Sequence, residues 1–258
     1  MRVSRFPLDV PTRAPGGRTN CYLLGDEDTL LVDPAARSAD LDAAVTDRAP
    51  ANLLVTHTHP DHVGAVAHYA AETGATVWAR RPDAVEAATG VVPDGTLREG
   101  TTLPVDDDAV TVLETPGHAR DHVAVETPTG TLVGDLAVAE GSVVVGAPEG
   151  DLRAYLVSLR RLHARDPPRL YPGHGPVIDD ARGTVSRLLA HRRRRERRVR
   201  AAVHEGARRV DEVVAAAYDK SLDGVYDLAR ATTVAHLEKL AAEGDVLWDP
   251  DEGSVRPA

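Results

Sequence analysis

Six consecutive residues, HTHPDH at positions 57–62, constrain this chain more than any other feature. They follow the apolar run NLLVT and precede the helical run VGAVAHYAAE, so four side chains able to hold a metal crowd one strand-to-helix corner. Residues two apart in an extended stretch point the same way, which aims the rings of His57 and His59 at one place, as two ligands of one ion must be. Asp61 and His62 fall at the start of the helix and can face a second ion.

Three more ligand-type residues stand beside glycine or proline at the ends of strand-like runs: His118 in TPGHA, Asp135 in LVGDL and His174 in YPGHGP. Such loops place side chains rigidly at a sheet edge, where catalytic groups collect. His122, four residues after His118, is a candidate for catalysis near the leaving group or for support of a ligand, with a hydrogen-bonded structural histidine as the alternative reading. Asp33 in LLVDP can support a ligand histidine or simply end a strand. His68, His163, His204 and His236 lie in helical patterns and are expected to face solvent.

The remaining pattern is mixed. Apolar and β-branched runs at 20–24, 29–32, 52–56, 76–79, 109–113, 123–126 and 131–134 alternate with helical patterns near 38–48, 62–73 and 151–164, where Asp151 is the expected cap. Consecutive strands around the Gly130 turn argue against a purely parallel, doubly wound sheet and favour a sheet sandwich flanked by helices. A long polar helix begins near residue 180. After it come compact helices and the tail DVLWDPDEGSVRPA, which reads as two short strands around an acidic turn, a winged-helix-like ending.

In this order the ligand residues resemble the metallo-β-lactamase superfamily, whose signature is HxHxDH, then a lone His, a lone Asp and a final His. The resemblance implies an α/β fold, the four-layer αββα sandwich, over residues 1–180, with residues 181–258 as the small winged-helix-like appendage. It implies that His57, His59 and His118 bind a first ion, that Asp61, His62 and His174 bind a second, and that Asp135 bridges them. Nitrogen and carboxylate donors without thiolate suit zinc, with manganese or iron as alternatives. The expected enzyme is a binuclear hydrolase in which a metal-bridging hydroxide attacks an ester-like bond and Asp61 orients it.

Branches of the superfamily separate by what is absent. Thirty-eight residues lie between Asp135 and His174, too few for the inserted domain of the large nucleases, and His59 stands where the flavin-linked di-iron reductases carry Glu. YPGHGPVI, the helix with HRRRRERR and the ending HLEKLAAEG are similar to the β-lactamase-like protein 2 family. That similarity implies cleavage of single-stranded RNA, with His191 and Arg192 as substrate contacts. The alternative is a thioesterase of the glyoxalase II type.

Composition bears on the RNA reading from both sides. The ten residues from His191 to Arg200 hold seven arginines and one glutamate within a chain of net charge −10, a local patch that phosphate could occupy. Aromatic residues, which stack splayed bases, are only 3%. Residues 207–258 are predominantly acidic, so specific DNA binding is not expected; dimerisation or substrate shaping is a better role for the C-terminal part.

Forty acidic residues against thirty basic ones, of which only Lys220 and Lys239 are lysine, resemble the composition of proteins from salt-loving cells. The single cysteine, Cys21, permits no disulfide within the chain and is expected in the core. No apolar run of membrane-spanning length and no signal-peptide pattern is evident, so a cytoplasmic location without membrane contact is expected.

Overall fold

The computed structural model describes residues 1–14 and 16–258. The chain packs as two compact units: residues 1–115, 121–143 and 165–184 form the first, and residues 116–120, 144–164 and 185–258 the second.

The first unit contains two sheets. β1 (Val3–Asp9), β2 (Arg18–Leu24), β3 (Leu30–Val32), β4 (Asn52–Leu54), β5 (Thr76–Ala79) and β6 (Gly95–Thr96) lie side by side in chain order. β1 to β3 are antiparallel, whereas β3 to β6 are parallel. The parallel steps need crossovers, and α1 (Ala39–Arg48), α2 (Pro60–Val63) with α3 (Val66–Thr73), and α4 (Pro82–Thr89) supply them. β7 (Thr102–Val105), β8 (Asp108–Glu114), β9 (Val123–Thr127), β10 (Gly130–Gly134) and β11 (Leu170–Pro172) make the second sheet, in the order β11-β10-β9-β8-β7.

Alternation along β2 explains how the layers stack. Tyr22 and Leu24 join Val32, Leu54, Val112, Val125 and Leu132 in a core between the sheets. Cys21 and Leu23 turn the other way, toward Leu41 and Val45 of α1 and Val66 and Tyr69 of α3. Cys21 is therefore the fully buried core residue its context suggested. Each fully buried Leu or Val contributes about 1.5–3 kcal/mol relative to exposure, which makes this two-faced sheet the main source of cohesion.

The topology gathers chain ends at one rim of the sandwich. β3 and β4 are parallel, so Asp33 and His57 leave the first sheet at the same end. β10 and β11 are parallel in the second sheet, so Asp135 and His174 leave it together. Backbone bonds tie these exits: Val123 N–H to Thr56 O at 2.9 Å, Asn20 N–H to Gly173 O at 2.7 Å, and Gly173 N–H to Gly134 O at 2.8 Å.

The second unit includes α5 (Leu152–Arg165) up to Ala164, α6 (Ala181–His204) from Val185 onward, α7 (Val210–Ala217), α8 (Tyr226–Ala242) and the hairpin of β12 (Val246–Asp249) and β13 (Ser254–Pro257). Asp151 caps α5 as its sequence context predicts, its carboxylate accepting from Ala154 N–H at 3.0 Å. Val199, Val203, Val213, Leu237, Leu240, Val246 and Val255 form a core of helices and hairpin. His236 corrects the sequence reading: on α8 it is fully buried rather than facing solvent. No helix among the described residues is long and apolar enough to cross a membrane.

Candidate metal centre

Pro60 sets the local geometry of the HTHPDH corner. His59, at φ −63° and ψ 141°, is still extended as the N-cap of α2, and Pro60 opens the helix where its missing N–H costs nothing. The extended stretch brings His57 Nε2 and His59 Nδ1 to 3.1 Å of each other, the pairing expected of residues two apart. Gly64 lets α2 dock on the loop after β3: a Cβ there would lie 2.4 Å from Ala35 O.

A second set of donors converges beside the first. Ligand atoms of Asp61, His62 and His174 all lie within 4.8 Å of one another. His62 Nε2 and His174 Nε2 stand 3.4 Å apart, and Asp135 is 3.5 Å from the former through Oδ1 and 3.3 Å from the latter through Oδ2. His57, His62, Asp135 and His174 are buried. Glycine is required around them. A Cβ on Gly173 would meet Asp135 Oδ1 at 2.6 Å and His62 Cε1 at 2.8 Å, and Gly134, at φ +44°, would place one 2.7 Å from His122 Nε2.

Outer partners decide which way the rings face. Asp33, itself held at φ +50°, accepts from Thr56 N–H at 2.7 Å through Oδ1, and through Oδ2 from Thr56 Oγ1–H at 2.6 Å. Its Oδ2 also lies 2.9 Å from His62 Nδ1. With a proton on Nδ1, His62 presents the Nε2 lone pair to the cluster. His174 Nδ1 is likewise 2.8 Å from Arg18 O, leaving Nε2 inward. A carboxylate or carbonyl behind a ligand imidazole is the arrangement that fixes its tautomer and raises its basicity. Asp33 and His57 also approach His62 closely enough to form a ligand-like group. The Asp33 oxygens are turned to Thr56 and His62, however, so its place is support.

The electrostatics point the same way. Burial opposes protonation of His62, yet Asp135 and Asp33 outweigh it and push its pKa up to about 10. His174 is raised too, because hydrogen bonding and charge from Asp135 exceed its burial cost. Without an ion the cluster thus draws protons onto its histidines, as a site with surplus negative charge must. The imidazole and carboxylate donors fit a divalent cation of intermediate hardness.

Six of the seven residues expected to bind metal, His57, His59, Asp61, His62, Asp135 and His174, lie in the first unit. His118 belongs to the second. Gly117, at φ +142°, packs so tightly on α5 that a Cβ would fall 2.3 Å from Tyr155 Cα. The same turn is tied by Asp151 N–H to Gly117 O at 2.8 Å and by Ser158 Oγ–H to Pro116 O at 2.8 Å. His118 Nδ1 is 2.7 Å from Val144 O, so Nε2 is the atom it could offer a metal.

Two expectations need correction. His122 accepts Asp135 N–H at 3.0 Å through Nε2, and its Nδ1 is 2.8 Å from Thr115 Oγ1. Both ring nitrogens are committed to the protein, so His122 is a buried brace for the Asp135 backbone rather than a catalytic group. Arg192, expected to touch substrate, is buried with its guanidinium over the Tyr155 ring at 5.2 Å. Sequence reasoning missed Thr12, whose Oγ1–H donates to Asp61 Oδ2 at 2.5 Å from the β1–β2 loop; nothing in a lone loop threonine marks it.

Facing sheets with a His/Asp cluster at one rim define a metallohydrolase-type sandwich. The chain belongs to the metallo-beta-lactamase superfamily, whose family model matches residues 14–174. A beta-lactamase-like protein 2 homolog of Drosophila melanogaster is 30% identical over 247 residues, covering 88% of this chain and 83% of that protein. A metallo-beta-lactamase family protein from Thermus thermophilus superposes with a TM-score of 0.78 at 26% identity, covering 99% of this chain and 98% of that one. An atrochrysone carboxyl ACP thioesterase of Aspergillus fumigatus is 29% identical over 195 residues, which are 70% of this chain and 58% of that protein. This chain is accordingly a hydrolase of that superfamily, with His/Asp clusters suited to divalent metal.

Proposed function

We propose that this hydrolase works with two divalent ions, zinc by the character of the donors, and cleaves acyl thioesters. In this reading His57, His59 and His118 hold one ion, Asp61, His62 and His174 hold the other, and Asp135 serves both. The observation that carries it is the convergence of His62 Nε2 and His174 Nε2, 3.4 Å apart and flanked by Asp135, an arrangement whose donors suit a cation. Bound there, the ions supply Lewis acidity, lowering the pKa of a water to near neutral and offsetting charge that develops on the carbonyl oxygen.

The chain's own residues prepare that attack. Asp61, steadied by Thr12, aims the nucleophilic water and takes its proton. Asp33 and the Arg18 carbonyl lock His62 and His174 in the required tautomers. His122 fixes the peptide that carries Asp135. Rigid outer bonding of this kind places the donors before substrate arrives, which is where electrostatic catalysis gains most.

The thioester is favoured by the named thioesterases among the relatives and by the state of the arginine helix. Of the seven arginines between His191 and Arg200, Arg192 is buried, Arg195 donates to Ala217 O, and Arg198 and Arg200 pair with Asp219 and Asp245. A track for many phosphates is therefore largely closed. The thioesterases named among these relatives act on carrier-protein thioesters or are named without a substrate, so the glyoxalase II type is not the favoured thioesterase.

A second reading, hydrolysis of single-stranded RNA, rests on Arg193, Arg194 and Arg197, which remain accessible on the same helix. The metal-loaded enzyme should be offered an acyl-pantetheine thioester and a single-stranded oligoribonucleotide in the same buffer. Thioester turnover that stops with chelation and returns with zinc is the expected result. Metal-dependent RNA cleavage with an untouched thioester would remove the thioesterase reading.

A further inference from the structure

One face of α6 forms a notch of about 120 Å³ whose walls are His191, Arg194, Arg195 and Arg198. These positions are related by three, four and seven, so they share one stripe of the helix. No carboxylate lines the notch. We propose that it is a binding site for a single phosphate group, made by residues other than the metal-centre donors and independent of the thioester reading.

The basis is preorganisation. Arg195 is anchored from behind: one of its N–H groups donates to Ala217 O at the end of α7, and its guanidinium lies 3.5 Å from the Tyr218 ring centroid. Arg198 is held by Asp219 at 2.6 Å. Each guanidinium carries five N–H donors, so both keep donors beyond these anchors. Arg194, exposed, has no hydrogen-bond or ion-pair partner among the described residues and closes the third side.

Side chains already fixed lose little freedom when a ligand arrives, and the planar guanidinium fork matches an oxyanion through two parallel bonds. The notch has room for one tetrahedral anion. His191 reports the local field. Burial, then Arg192, Arg195, Arg194 and Arg187, pull its pKa down to about 4, so the ring is neutral beside these arginines near pH 7.

Calorimetric titration of the metal-loaded protein with inorganic phosphate and with glycerol phosphate, at ionic strength fixed by chloride, tests the site, with the His191 ring resonances as the local readout. Phosphate should shift those resonances saturably, and Arg194→Gln should weaken that response roughly tenfold, the effect of losing a charge-assisted bond. Arg193→Gln, one residue away and outside the notch, should leave it unchanged. Both variants should unfold at the wild-type temperature without phosphate. A response to glycerol phosphate equal to that of phosphate identifies an ester as the ligand; a response to phosphate alone identifies the free ion.

Three results overturn the inference. They are equal weakening by both variants, a chloride response matching that of phosphate, and a His191 response confined to an oligoribonucleotide.

Discussion

Two regions of this protein concentrate charge-bearing side chains, and they are built on opposite terms. At the rim of the sandwich, His62 and His174 are braced from outside and turned toward each other, with Asp135 and Asp61 beside them. Along α6, four of the seven arginines between residues 191 and 200 are buried or paired inside the second unit. The first cluster has its outer bonds made and its donor atoms converging on one place. The second is mostly complete, apart from the notch at Arg194. Motif density is similar in both; the direction in which outer partners push the side chains separates a site from a scaffold.

Histidine titration shows the same contrast with the sign reversed. Carboxylates raise His62 and His174 in the first unit, whereas burial and then neighbouring arginines lower His191, and His236 falls well below its usual value through burial and then Arg192, Arg195 and Lys239.

The comparison can be broken most sharply at the metal cluster. His62→Ala or Asp135→Ala should abolish hydrolysis and leave folded protein with sub-stoichiometric metal. Their effect should exceed the roughly 100-fold loss that follows removal of an outer partner. Full activity with full metal content in either variant would end the metal-centre assignment. Asp33→Asn retains an acceptor for Thr56 but loses the carboxylate behind His62, so metal affinity in a competitive chelator titration should fall about 10- to 100-fold. Unchanged affinity would show that His62 needs no brace.

The third test moves to α6. Arg192→Leu should leave turnover of a small ester intact while lowering the unfolding free energy read from urea titration by about 1–2 kcal/mol, the scale of a desolvated cation–π contact. A raised KM with unchanged stability would restore Arg192 as a substrate contact.

The smallest effects concern pH. A folded pKa raised to about 10 on His62 stabilises the metal-free protein fully below about 6.5, the unfolded value, and that stability is lost as pH climbs toward 10. A bound ion replaces the proton, so metal-loaded protein should lack this alkaline decline. In the second unit the sign is opposite. Unfolded His191 and His236 take up protons below about 6.5 that the folded forms refuse, so stability falls on acidification. Melting curves of His236→Leu should show a smaller drop between roughly pH 6.5 and 4.5 than wild type; an identical drop would assign acid sensitivity elsewhere.

Much of the first unit was legible because periodicity and punctuation agree there. The runs at 76–79, 109–113 and 123–126 correspond to β5, β8 and β9 within a residue or two. β1 and β7 were not evident, since β1 is partly exposed and irregular in its alternation and β7 is only four residues long with Pro104 inside it, and both are strands because a neighbour pairs with them. Helix α4 was missed as well: after Pro82, its short run buries only Val85. The pattern taken as one helix over 62–73 is two, α2 and α3, parted where Gly64 must clear Ala35. His236 misled because a histidine in a helical pattern looks the same whether its face meets water or a second helix.

The sequence by itself determined the donor types, their order and the extended geometry of His57 and His59, because backbone alternation acts over two residues and needs no tertiary partner. It also determined the α5 cap, the terminal hairpin and the burial of Cys21. Only the tertiary structure decided which donors are braced and which are braces. Asp33, Thr12 and His122 took their roles from residues 29, 49 and 13 positions away in the chain. The arginine helix likewise owed its closure to α7 and the loops around it. Hydrogen bonds act over about 3 Å in space, and no local pattern records which distant residue the fold will bring that close.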